Sequence, residues 1–382
     1  MKLAAISMIR SPWGGSEELW AAAAEQALKD RHQVYVSALD CGVVHPKMQR
    51  LIDKGGIVTY RKKVISPNTP FLKRLWTLGY YFLQHRISGA FRKVLKYHPD
   101  IVVYTGTCYS IVEDRRLLRE LQGSKARFFI ITQCNTEAYR PINDQQARII
   151  KNAYARAEKV FFVSQRNLET AQRHLCSTID NAVLVRNPVN MEQRSPLPYP
   201  AGETLQLAMV GNLVTIHKGQ DLALAALARP EWRQRSWHLN IYGDGVDEAY
   251  LRSLAAFYGL AERVTFHGRV SDIRAVWAVN HLLLMPSLME GMPLAVVEAM
   301  LCARPCVATD VGGHKEWITE GQEGFIADGA AVDAISQALE RAWQARSQWE
   351  AMGMAAHRKA LALYDPQPGN TLLQLILETA KR

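Results

Sequence analysis

No apolar run in this sequence reaches the ~18 residues that a membrane-spanning helix needs. The opening "MKLAAISMIRSPWGG" is interrupted by Arg10 and Pro12 too early for a signal peptide. Cysteine is sparse. The six residues, at 41, 108, 134, 176, 302 and 306, form no CxxC pair and sit mostly in apolar stretches. Reduced, buried thiols of a cytoplasmic protein fit that pattern better than disulfides or a zinc site. There is no low-complexity tract, no short-period repeat and no DxD pair anywhere in the chain. The expectation is a soluble cytoplasmic protein, free or resting on the inner face of the membrane.

What the chain does contain is globular material. Apolar residues make up 48% and charged residues 21% of 382 positions, enough for one very large domain or two ordinary ones. The net charge is +10, from 46 basic and 36 acidic residues. That excess suits an anionic partner (a nucleotide, a phospholipid surface or nucleic acid), or it simply keeps the surface soluble.

Short apolar runs alternate with helical patterns. "KLAAISM", "QVYVSAL", "IVVYTG", "RFFIIT" and "KVFFVS" read as strands in the first half. "LQLAMVG", "HLNIYG", "RVTFHG", "HLLLMPS", "PCVATD" and "GFIAD" do so in the second. They are continuous rather than alternating, as strands buried on both faces of a parallel sheet must be. Between them lie helical stretches such as "EELWAAAAEQALKD", "QDLALAALARP" and "AISQALERAWQARSQWEAMG". The stretch 186–203 carries four of the sixteen prolines and little apolar period, so it reads as a linker. The predicted class is α/β, with two doubly wound Rossmann-like domains facing a cleft. The first covers 1–188, a linker 189–203 follows, and the second covers 204–364. The last stretch, 365–382, predicts a helix returning to the first domain.

Three turns could cradle phosphate. "SPWGGSEEL" places Gly14 and Gly15 ahead of a helix, with Ser16 as a candidate N-cap. "GNLVTIHKGQ" sets Lys218 and Gly219 before another helix, where a lysine can meet a phosphate as a point charge. "IYGDG" adds Gly243 and Gly245. Each is weak alone and equally compatible with an ordinary turn.

"PSLMEGMPLAVVEAM", 286–300, is more specific. Pro293 suits a first helical turn, which needs no proline N–H. Glu298 then lies about 7.5 Å along the axis from Pro293, at ~1.5 Å per residue. Amides from Gly291 to Leu294 suit a diphosphate, while Glu290 and Glu298, acceptor-only carboxylates, suit sugar hydroxyls and a ribose diol. No lysine or arginine lies within four residues of either acid, which argues against simple helical ion pairs.

In that order, "GNLVTIHKG", "IYGDG", "RVTFHGRVSD", "PSLMEGMPLAVVEAM", "PCVATDVGGHKEWI" and "EGFIAD" resemble the retaining family-4 glycosyltransferases, which have a GT-B-type fold. "GGSEE" and "KVFFVS…VRNPV" extend the likeness into the first half, more loosely. The resemblance implies a metal-independent transfer with retention from a nucleotide-sugar, a UDP-sugar first, to a saccharide, small-molecule or lipid-linked acceptor. No cofactor is implied. By position, Lys218 would hold the diphosphate, helped from across the cleft by Gly15. Glu290 and the loop from Gly291 through Met292 and Pro293 to Leu294 would take the transferred sugar, and Glu298 the ribose. Val270, Asp272 and Gly243 would lie near the base.

Two departures stand out. Asn212 occupies a place where the family often has arginine, leaving His217 or Arg269 as substitutes. The loop "QCNTEAYR" lacks the histidine the family tends to carry there, leaving Gln133 or Asn135 beside the reacting sugar. Alternative readings are a nucleotide-sugar epimerase on the same fold and a non-catalytic sugar-nucleotide-binding protein. The basic and aromatic stretch 61–100 reads either as a membrane-surface segment or as domain helices with basic outer faces. No nucleic-acid motif accompanies the charge.

Overall fold

The computed structural model describes residues 1–9, 11–61, 75, 79, 91–122 and 124–381. They divide into two compact units. One comprises Met1–Asn135, Arg140–Pro188 and Asp365–Arg382; the other comprises Thr136–Tyr139 and Val189–Tyr364. Most of the stretch 61–100 lies outside the described residues. Among the described residues, no helix is long and apolar enough to cross a membrane.

The first unit is built on seven parallel strands in the order β3-β2-β1-β4-β5-β6-β7. These are β1 (Lys2–Ser7), β2 (Gln33–Leu39), β3 (Ile57–Arg61), β4 (Ile101–Gly106), β5 (Arg127–Thr132), β6 (Lys159–Phe162) and β7 (Ala182–Leu184). The central strands are buried along nearly their whole length, which is why their sequences are continuously apolar. The edge strands β3 and β7, half exposed, were not legible as strands in the sequence.

Helices α1 (Glu18–Lys29) and α2 (Pro46–Asp53) connect β1 to β2 and β2 to β3. Helices α3 (Arg115–Gln122), α4 (Asp144–Arg156) and α5 (Gln165–Leu175) serve the other half of the sheet. The two halves are wound in opposite directions from β1 and β4. Right-handed crossovers therefore put α1 and α2 on one face and α3, α4 and α5 on the other. Local signals start these helices where they start. Asn143 and Gln146 form a reciprocal capping box on α4, and Ser164 Oγ accepts from the Asn167 amide at the head of α5.

The second unit repeats the plan with six parallel strands, β10-β9-β8-β11-β12-β13. They are β8 (Leu205–Val210), β9 (Trp237–Tyr242), β10 (Val264–Gly268), β11 (Leu282–Met285), β12 (Cys306–Thr309) and β13 (Gly324–Ala327). Its helices include α6 (Gln220–Leu227), α7 (Glu248–Phe257), α8 (Ile273–Val279) and α9 (Leu294–Leu301). The long helical pattern 334–353 is two helices, α10 (Val332–Gln344) and α11 (Trp349–Leu363), parted by a tight turn at Arg346–Gln348. The last helix, α12 (Pro368–Lys381), belongs to the first unit and packs on α1. Small residues allow it: a Cβ on Gly369 would lie 2.6 Å from the Ala22 methyl.

The connector 189–203 is not free. It groups with the second unit, and Arg304 and Arg274 hold it there. Arg304 is fully buried, and its guanidinium meets Leu197 O and Pro198 O as well as carbonyls of the unit's own helix ends. Arg274 donates to Gln193 O and Ser195 O at 3.0 and 2.9 Å. In the same unit Glu137 Oε1 accepts from the Gly312 amide at 2.9 Å.

Candidate active site

The residues singled out in the second unit gather at the carboxyl ends of β8, β9, β11 and β12, where open parallel sheets bind ligands. The chain leaves β8 and β9 on Gly211 and Gly243, with φ of 153° and 135°. A Cβ on Gly243 would sit 2.0 Å from Gly211 O, so the two loops touch main chain to main chain. Asp247 ties them further, accepting from Thr215 N and Oγ1 at 2.7 and 2.9 Å through Oδ2.

The loop after β8 is then joined to the loop after β11. His217 O accepts from the amides of Leu288 and Met289 at 2.9 and 3.2 Å. Gly219 leaves no room for a side chain against Pro286 O. These contacts bring Lys218 Nζ to 2.5 Å from Glu290 Oε1. Ser287 Oγ donates to the same oxygen at 2.8 Å. Glu290 is only 7% exposed, so its charge is balanced locally rather than by water.

Gly291, Met292 and Pro293 are buried, and Leu294 is half-buried. Pro293 sits at the cap and α9 begins at Leu294, so first-turn amides without intrahelical partners lie beside Glu290. Glu298, 8% exposed, is the fifth residue of α9. Gly313 N donates to Gly291 O at 2.9 Å, which pins the loop from the β12 side. Behind it lies His314, fully buried, with Nδ1 2.7 Å from Thr309 O. That contact makes Nδ1 the donor and leaves Nε2 an acceptor, with no partner among the described residues. Burial pushes the His314 pKa down, and Lys218 acts in the same direction.

Other residues take different roles. Asn212 is exposed, and its carbonyl accepts from Gln220 Nε2 at 2.9 Å. Arg269 pairs with Asp244 at 2.9 Å on the surface. His217 is held toward its neutral form by burial and then by Lys218, so it supplies little positive charge. Asp272 caps α8, accepting from Arg274 N and Ala275 N at 2.9 and 3.3 Å, and Val270 is 37% exposed.

In the first unit, Gly15 opens a 3₁₀ turn, Gly15–Glu17, that runs straight into α1. Ser16 lies inside that turn rather than capping the helix. Glu17 is buried; Trp20 Nε1 donates to its Oε2 at 3.0 Å. Burial raises its pKa to about 7, against the pull of Ser7, Trp20 and Arg61. Gln133 and Asn135 are buried as well. Gln133 Oε1 accepts from Asn187 Nδ2 at 3.0 Å, and Asn135 Nδ2 donates to Asn167 O at 2.8 Å.

Sequence reasoning missed Ser287, Asp247 and His314. Only "GGHKE" offered a signal, since its two glycines imply close backbone approach and bring the histidine with them.

Residues 204–345 match the family described as glycosyl transferases group 1. They form a group 1 glycosyl transferase domain, on a chain of GT-B fold. A stretch of 258 residues of the chain is 28% identical to a GDP-mannose-dependent alpha-(1-6)-phosphatidylinositol monomannoside mannosyltransferase of Mycolicibacterium smegmatis. The match covers 65% of this chain and 66% of that relative. Across the first curated relatives the matched stretches span 39 to 66% of their length. Two solved structures carry the same fold. HepE of Anabaena, in complex with UDP, is 19% identical with all of both chains covered and a TM-score of 0.72. Sucrose-phosphate synthase of Thermosynechococcus elongatus is 17% identical, with 99% of this chain and 98% of that one covered and a TM-score of 0.73. In this group 1 domain the matched residues contain Lys218, Glu290, Glu298 and the loop between the acids.

Proposed function

We propose that the chain is a retaining, metal-independent glycosyltransferase that moves a sugar from a nucleoside-diphosphate donor to a hydroxyl of a saccharide or lipid-linked acceptor. The observation that carries this reading is the 2.5 Å pair of Lys218 and Glu290 beside the amide-rich start of α9. A cation, a carboxylate and a helix start at such spacing match a pyrophosphate with a sugar at one end. Glu298, further along α9, suits the ribose at the other end. The relative named above acts on GDP-mannose and the HepE structure contains UDP, so both nucleotides are donor candidates here.

In the reaction, the acceptor oxygen forms a bond to the anomeric carbon on the face from which the diphosphate leaves. The bond to the diphosphate oxygen breaks, and that oxygen takes the acceptor's proton. Lys218 and the α9 amides stabilise the charge that develops on the leaving group; one such interaction supplies about 3–4 kcal/mol at the transition state. Glu290 orients the sugar through its hydroxyls.

A thermal-shift panel of UDP-, GDP- and ADP-sugars tests the donor half. A ligand at 100 times its dissociation constant stabilises by about 2.7 kcal/mol. No shift with any of them would refute the proposal. Turnover unaffected by EDTA and dependent on an acceptor supports transfer; product formed without an acceptor would favour epimerisation.

A further inference from the structure

The carboxylate of Glu290 is held at one oxygen only. Lys218 Nζ and Ser287 Oγ both meet Oε1, at 2.5 and 2.8 Å. No described residue donates to Oε2. A carboxylate only accepts, so the Ser287 hydroxyl is the donor of its pair.

Ser287 is itself fixed. It lies two residues past the end of β11, and the register of β11 on β12 pairs Met285 with Ala308. That register sets Thr309, the last residue of β12, beside it. Thr309 Oγ1 donates to Ser287 O at 2.6 Å, and His314 Nδ1 in turn donates to Thr309 O at 2.7 Å. Ser287, Thr309 and His314 are all fully buried. The hydroxyl that meets Oε1 therefore hangs from main chain that is tied from behind, and burial leaves it no water to turn to.

The two donors on Oε1 are not equivalent. Under the proposed function Lys218 turns to the diphosphate when a nucleotide-sugar binds, and its grip on the carboxylate loosens. The last torsion of a glutamate is soft and roughly two-fold. A charge-assisted hydrogen bond to one oxygen removes that freedom. We propose that Ser287 is a positioning residue: its hydroxyl keeps Oε1 turned inward, so that Oε2 is the atom offered to a hydroxyl of the transferred sugar. This rests on the proposed function and deepens it, by naming the oxygen that meets the sugar and the group that holds it there. A serine that merely shaped the loop would act on the whole ligand, because the same loop leads into α9 and to Glu298.

The test compares the full-length wild type with Ser287→Ala and with Ser287→Cys, which is nearly isosteric and keeps a weak donor. The probes are UDP-glucose and GDP-mannose, with UDP and GDP alone as references. Ser287→Ala should lower kcat for release of the nucleoside diphosphate by about 10- to 100-fold. Ser287→Cys should fall between it and wild type. Affinity for UDP or GDP alone, by isothermal titration, should stay unchanged in both variants, since neither reference carries the sugar. Melting temperatures check that the variants fold. The inference is overturned if Ser287→Ala turns over like wild type, or if its affinity for the nucleoside diphosphate falls in step with its rate. Wild type that binds neither nucleotide-sugar would instead remove the proposed function, and this inference with it.

Discussion

Lys218 and Glu290, 72 positions apart in sequence, meet at 2.5 Å in the second unit. Each therefore neutralises the other until a donor arrives with a phosphate for one and hydroxyls for the other. Lys218→Met and Glu290→Gln should each lower kcat/KM for a nucleotide-sugar by about 100- to 1,000-fold. Because the two act as a pair, the double variant should lose much less than the product of the single losses. Steady-state kinetics on the three variants decides; strictly multiplicative losses would mean the groups work independently.

Glu17 makes stability depend on pH in an unusual direction for a carboxylate. Its pKa is raised from 4.5 to about 7, chiefly by burial. The folded chain thus holds the proton more tightly than the unfolded chain. The associated stability is complete below about pH 4.5, declines as pH rises and is gone above about 7. Glu17→Gln stays neutral throughout. The Tm of the wild type relative to this variant should fall between about pH 4.5 and 7, and parallel curves would show that Glu17 is not the group responsible.

Arg304 is expected to be a stability determinant without a part in catalysis. Its guanidinium donates to Trp277 O and Asn280 O at 2.8 and 2.9 Å, and to Cys302 O and Ala303 O at 3.0 and 3.1 Å. These are the carboxyl ends of α8 and α9, where a cation is favoured. Arg304→Met leaves several buried carbonyls unpaired and should cost about 3 kcal/mol or more. Lysine should not rescue it, since a point charge cannot reproduce the fork. Urea unfolding measures both.

Gly243→Ala should destabilise more than Gly321→Ala. Both glycines have positive φ, but only the first faces a backbone carbonyl, at 2.0 Å, while the second has open space. Strain alone accounts for about 1–3 kcal/mol, so the difference in Tm isolates the close approach. Loss of the donor-induced thermal shift should accompany only Gly243→Ala.

Much of this was legible in the sequence, for physical reasons. Strands such as "RFFIIT" and "HLLLMPS" are apolar on both faces because both faces are covered, and they coincide with β5 and β11. β3 and β7 escaped because an edge strand with half-exposed residues loses that signature. The pattern 334–353 kept a helical period through the turn at Arg346–Gln348, so periodicity could not show the break. Glu290, Glu298 and Lys218 stood out by motif, but their meeting, like the gathering of carbonyls by Arg304, depends on pairings over many tens of residues. Local spacing carries no record of such contacts.

The position of α12 bears on how the chain is made. It completes the first unit, packing on α1, yet it leaves the ribosome only after the whole second unit. The second unit, contained between Val189 and Tyr364 apart from four residues, can close earlier. The amino-terminal unit must therefore wait, one flank of α1 uncovered, through the synthesis of the whole carboxyl-terminal one. Of the two units, the one whose synthesis starts earlier is completed later.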